Sequence, residues 1–113
     1  VAYGTNQWWD QDVEEFKSST RLFFDKLLTL FPSKKIYAIL PIWRADIAER
    51  RAESVVGKME ELIKTAIGDM KNVVIIEGMD LVPQNTEMFG DAFLHPNDEG
   101  FVHYGNNLSK IIK

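Results

Sequence analysis

The sequence predicts an α/β protein built on a parallel sheet, and three observations carry that prediction. Apolar runs and amphipathic stretches alternate in the order strand, helix, strand, helix, strand, helix. The two complete apolar runs, "IYAIL" and "VVII", are nearly continuous, as in strands covered on both faces. The residues with chemical character gather just after the apolar runs, at the edge where open parallel sheets bind their ligands.

Each element has its own signal. Val1 to Tyr3 reads as a short strand that stops at Gly4 and gives way to the loop "GTNQWWDQ". Asp12 followed by Glu15 fits a capping box, with Asp10 as a rival cap. Val13, Phe16, Thr20, Phe23, Leu27 and Leu30 recur at helical spacing, and Pro32 ends that helix. Ile36 to Leu40 forms the second strand, and "IWRAD" a loop. Ala52, Val55, Val56, Met59, Leu62, Ile63, Ala66 and Ile67 mark a second amphipathic helix. Val73 to Glu77 forms the third strand, broken by Gly78. An irregular stretch runs from Met79 to His95, after which Asn97 caps a last helix with a buried stripe of Phe101, Tyr104, Leu108 and Ile111.

Right-handed crossovers bring the three loops after the strands, Gly4 to Trp9, Pro41 to Asp46 and Gly78 to His95, to one edge. A sheet of three strands is thin, and its first strand presents an open edge. The chain begins without Met, directly in "VAYG", which predicts that further residues lie upstream. The rest of a parent protein, or a second copy, is then expected to cover that edge.

At 113 residues the chain, residues 1–113, is at most one domain, with length enough for a modest core. It is 45% hydrophobic and 27% charged, as soluble globular proteins are. A net charge of −4, with lysines and arginines scattered, argues against a nucleic-acid or anionic-membrane surface. Without cysteine there is no disulfide framework and no thiolate chemistry. No apolar run is long enough to span a membrane, and no signal peptide is visible. Cytoplasmic and secreted locations are both compatible with this composition.

His95 and Asp91 carry the chemistry. A carboxylate bonded to one imidazole nitrogen fixes the tautomer and leaves the other nitrogen as a base. The bland alternative makes Asp91 a turn cap and "HPND" a helix start. Asn6, in "GTN" directly after a strand, suits a turn, and its amide is also an oxyanion donor. Gly4 lets the backbone pass close to a bound group.

Two blocks together resemble a known family. "AYGTNQ" resembles the G-x-N-D block of the SGNH (GDSL-type) serine hydrolases, and "DAFLHPNDEGF" resembles their closing D-x-x-H block. "LPIWRAD" is similar to the loop after the middle strand in bacterial members. The resemblance covers essentially the whole chain as the C-terminal half or more of such a domain. It implies a flavodoxin-like three-layer α/β/α sandwich, of which about three strands and three helices are present. It implies an ester hydrolase that needs no cofactor and acts on small acyl, lipid or acetylated-sugar esters. In it Asn6 is the oxyanion-hole side chain, Gly4 the block's leading glycine, His95 the base and Asp91 its orienting acid. Two departures stand out. Gln7 replaces the block's Asp, and Asp91 lies four residues before His95 where the family has three. A one-residue bulge preserves the contact, with Glu87 and Asp98 as alternative acids.

The nucleophile is the gap. The family's serine follows its first strand in a G-D-S block, and no such block exists here. Ser18, Ser19, Ser54 and Ser109 fall in helices, and Ser33 in a turn at the far edge. The isolated chain is therefore expected to be inactive. Trp8, Trp9 and Trp43 either line an acyl or sugar pocket or bury the loops. Arg44 either binds a substrate carboxylate or pairs with Asp46. His103 is expected on the polar face of the last helix. No metal site is expected, since Asp91, His95 and His103 lack tight ligand spacing. The rival reading is a non-catalytic α/β domain that binds a carbohydrate or a protein partner. A flavodoxin-like nucleotide binder would need a Gly-rich phosphate loop, which the sequence lacks.

Overall fold

A computed structural model describes residues 1–8, 12–53 and 58–113, with the backbone alone at Glu53. The elements in order are α1 (Val13–Leu30), β1 (Ile36–Ile39), α2 (Ile47–Glu53), α3 (Met59–Ile67), β2 (Val73–Ile76) and α4 (Asp98–Ile111). Two short 3-10 turns, Gly78–Asp80 and Thr86–Met88, interrupt the long segment before α4.

β1 and β2 pair in parallel, with Ile36 opposite Val73 and Ile39 opposite Ile76. The predicted first strand is shorter than expected. Ala2 makes an isolated parallel bridge to Ile39, in which Tyr3 N–H donates to the Ile39 carbonyl at 3.1 Å and Ile39 N–H to the Val1 carbonyl at 2.7 Å. The sheet therefore has two full strands and one bridged segment, where three strands were expected. Gly4 ends that segment at φ +97°, a conformation that favours glycine.

Side chains alternate across the strands and build two cores. Ala38 and Leu40 face a cluster with Phe16, Phe24, Met59, Ile63 and Ile67 from α1 and α3. Ile39 and Ile76 face the opposite way, joining Leu81 with Tyr104 and Leu108 of α4. Helices thus cover both faces, which is why the two apolar runs read as continuous.

Asp12 caps α1 by accepting the Glu15 N–H at 2.9 Å, and the helix ends at Leu30 ahead of Pro32. The rival cap Asp10 lies outside the described residues. The buried line on α1 is Phe16, Thr20 and Phe24, not Phe23 as the spacing suggested. Phe23 and Phe24 both satisfy helical periodicity. The bond between the Thr20 hydroxyl and Tyr3 Oη at 3.1 Å fixes the seam so that Phe24 enters the core. Phe23 stays 40% exposed and stacks on Tyr3.

The predicted second helix is not continuous. Lys58 is extended at φ −89°, ψ 103° and separates α2 from α3; Val55 and Val56 lie outside the described residues. Gly57 in "VVGKM" is the helix-breaking signal in the sequence. Of the stripe expected on α4, only Tyr104 and Leu108 pack inward, while Phe101 is 57% and Ile111 47% exposed. Two four-residue strands give too narrow a face to cover a fourteen-residue helix along its length.

Candidate functional site

The loops after the bridged segment, β1 and β2 meet at the carboxyl edge of the sheet. Direct contacts show it. Ala45 N–H donates to the Phe93 carbonyl at 2.9 Å, and Arg44 Nη1 donates to the Thr5 carbonyl at 3.4 Å.

The segment from Phe89 to Pro96 folds back on itself. Phe89 bridges Pro96 antiparallel, and Gly90 N–H donates to the His95 carbonyl at 2.8 Å. Inside this loop Asp91 uses its two carboxylate oxygens differently. Oδ1 accepts the backbone N–H groups of Phe93 at 2.9 Å, Leu94 at 2.8 Å and His95 at 3.1 Å. Oδ2 lies 2.7 Å from Nδ1 of the His95 ring. Ala92, between Asp91 and His95, takes φ +54°, a left-handed conformation uncommon for a residue other than glycine. Glu87 and Asp98, the alternative acids, make no contact with His95 among the described residues.

The Leu94 N–H first, and then the His95 ring, hold the Asp91 carboxyl well below the ordinary carboxylate range. An ionised carboxylate only accepts, so Nδ1 carries the proton and Nε2 the lone pair in the neutral ring. The His95 side chain is 78% exposed, and no described group bonds Nε2. The arrangement can take a proton from a group brought to that nitrogen.

α4 fixes the far side of the loop. The Asn97 carboxamide accepts the Gly100 N–H at 2.9 Å and donates to the Glu87 carbonyl at 2.7 Å. A Cβ at Gly100 would sit 2.3 Å from the Met88 carbonyl oxygen, so only glycine lets α4 start this close to the loop.

Asn6 occupies the corner of a turn closed by Gln7 N–H to the Gly4 carbonyl at 3.3 Å. Its side chain is exposed and makes no hydrogen bond among the described residues. The close approach at Gly4 is to the chain's own helix. A Cβ there would lie 2.6 Å from Ile63 Cδ1.

The tryptophans divide. Trp8 is 1% exposed and belongs to the α1–α3 core, so of its two expected roles it buries the loop and does not line a pocket. Trp9 lies outside the described residues. Trp43 is half-buried against the ring of Phe89, with centroids 5.4 Å apart. His103 is partly buried on α4 rather than fully exposed.

Arg44 does pair with Asp46, through Nε and, at 3.1 Å, through Nη2. Asp46 also accepts from Arg50 Nε at 2.6 Å. Burial alone would raise the Asp46 carboxyl, but bonds from the two arginines outweigh it and hold the group below its ordinary value. Sequence reasoning named Arg44 and its pairing with Asp46 but missed its burial and its neighbour Phe93. Arg44 is 6% exposed, and its guanidinium carbon lies 5.4 Å from the centroid of the Phe93 ring, within the Asp91–His95 turn. A charged residue inside the apolar "LPIW" context was the available signal.

No serine among the described residues stands at this edge. Ser18 and Ser19 are on α1, Ser33 is in the turn before β1, and the Ser109 hydroxyl donates to the Asn106 carbonyl. Ser54 lies outside the described residues. No described group of three His, Cys, Asp or Glu side chains is placed to hold a metal ion, and no described helix is long and apolar enough to cross a membrane. Comparison with protein-family models, curated proteins and solved structures finds no match.

Proposed function

We propose that the chain supplies the base, its orienting acid and one oxyanion donor of a serine ester hydrolase of the SGNH (GDSL) type. The finer fold proposed with it is part of a flavodoxin-like three-layer sandwich, a reading supported by helices on both faces of a parallel sheet. The single observation that carries the functional reading is the division of labour on Asp91. Three backbone N–H groups on Oδ1 account for a turn cap; the ring nitrogen on Oδ2 is not needed for one. A carboxylate held rigidly by the backbone and aimed at Nδ1 is the arrangement that orients a general base.

In the proposed reaction a serine from outside these 113 residues gives its hydroxyl proton to His95 Nε2 as its oxygen attacks an ester carbonyl. Asn6 donates to the oxyanion of the tetrahedral intermediate. His95 passes the proton to the departing alkoxide, leaving an acyl-serine. Water then attacks in the same way, and the acid and the serine are released. No cofactor is required, and the substrates are small acyl, lipid or acetylated-sugar esters.

The test is labelling by a fluorophosphonate of the natural polypeptide that carries this sequence, beside its His95→Ala variant. The expected result is one labelled serine outside the 113 residues, with labelling lost in the variant. The 113-residue chain alone should not label. Absence of labelling from the natural polypeptide, or labelling indifferent to His95, sinks the proposal in favour of a non-catalytic binding domain.

A further inference from the structure

Arg44 is nine-tenths buried in a small protein, and a buried charge is costly unless its partners are good. Asp46 answers the charge through two guanidinium nitrogens. An apolar side chain could fill the same space without that cost. What an arginine adds is direction, because its planar fork and its face can engage three groups at once.

Those groups belong to the three loops of the site. Nε and Nη2 hold Asp46, in the loop after β1. Nη1 holds the Thr5 carbonyl, one residue before Asn6. The guanidinium packs on Phe93, whose own N–H donates to Asp91 Oδ1 at 2.9 Å. Ala45 N–H to the Phe93 carbonyl adds a backbone tie one residue on. A continuous path of contacts thus runs from the Asn6 turn through Arg44 and Phe93 to the Asp91–His95 pair.

We propose that Arg44 is a positioning residue that couples the Asn6 turn to the Asp91–His95 turn, so that oxyanion donor and base hold one mutual geometry. The catalytic meaning of that coupling rests on the hydrolase reading, but the coupling itself does not. Lysine can keep the ion pair with Asp46, yet it lacks the fork and the flat face.

The experiment is a double-mutant cycle read by NMR on the 113-residue chain. Phe93→Leu should shift the Asn6 side-chain amide resonances in the native background. The same substitution should leave them unmoved in the R44K background, while the Ile39 and Ile76 amides report an intact sheet in both. Equal shifts in the two backgrounds, or none in either, overturn the proposal. Should R44K fail to fold, Phe93→Leu alone decides: it must move both the Arg44 Nε–H and Asn6 amide resonances, and silence at Asn6 overturns the coupling. In the natural polypeptide, R44K should slow fluorophosphonate labelling on the order of tenfold, the scale of one lost charge-assisted hydrogen bond. Coupling without labelling in the unmutated protein would sink the hydrolase reading alone. Labelling without coupling would sink the Arg44 proposal alone.

Discussion

Oδ2 of Asp91 lies 2.7 Å from Nδ1 of His95, while Oδ1 of the same carboxylate is saturated by three backbone N–H groups. The acid is immobilised by the turn it closes, so the imidazole is held by a group that cannot swing away. Orientation of the His95 ring is therefore built into the backbone of residues 91–95.

On the proposed hydrolase function, Asp91→Asn should cut ester turnover by the natural polypeptide on the order of 10⁴-fold, because an amide in place of the carboxylate favours the wrong tautomer. Asn6→Ala should cost less, about 10²–10³-fold, the usual effect of losing one oxyanion donor. Its melting temperature should not change, since the Asn6 side chain is exposed. Steady-state kinetics on a p-nitrophenyl ester, paired with thermal denaturation, checks both.

Acid should loosen the loops before it unfolds the sheet. Asp91 and Asp46 both titrate below the ordinary carboxylate range in the folded chain. Their contribution to stability is thus fully present above about pH 4 and is lost as pH falls through their lower folded values. Protection of the Phe93, Leu94 and His95 amides, taken relative to the intrinsic exchange rate at each pH, should fall below about pH 4, and less steeply in Asp91→Asn. Constant protection over that range would count against the turn as drawn.

Gly4→Ala should destabilise the chain by about 1–3 kcal/mol. The alanine meets both the φ of +97° and the Ile63 methyl group 2.6 Å from its Cβ. Calorimetry would register this as a melting temperature lower by several degrees.

The two adjacent phenylalanines of α1 should differ sharply. Phe24→Ala removes a fully buried ring and should cost about 3–5 kcal/mol. Phe23→Ala removes a ring 40% exposed and should cost well under half of that. Equal costs in urea unfolding would mean the register of α1 is wrong.

That pair also marks what periodicity can reveal. Both complete strands, the Asp12 and Asn97 caps and the stop before Pro32 follow from local chemistry, and local chemistry is written in the sequence. Which of two neighbouring phenylalanines turns inward depends on Tyr3 reaching Thr20, a contact across the fold. The exposed ends of the α4 stripe have a similar cause: the width of the sheet, not the helix, decides how much of it is buried. At the site, the Asp91–His95 pair was legible because turn and base lie in one short segment. The pairing of Arg44 with Asp46, two residues on, was legible as well, but its contacts with Thr5 and Phe93 were not, because these are far apart in the chain. The choice between pocket wall and core stayed open for Trp8 for the same reason, since nothing local shows that the loop folds under into the α1–α3 core.

The central claim is that Asp91 fixes His95 as a base acting through Nε2, and the most direct measurement is the tautomer of that ring. Long-range ¹H–¹⁵N correlation spectra of the 113-residue chain above the ring's titration should show Nδ1 protonated and Nε2 bare. In Asp91→Asn the preference should weaken or reverse. A native ring protonated at Nε2 would contradict the claim, because the nitrogen meant to accept the serine proton would already carry one.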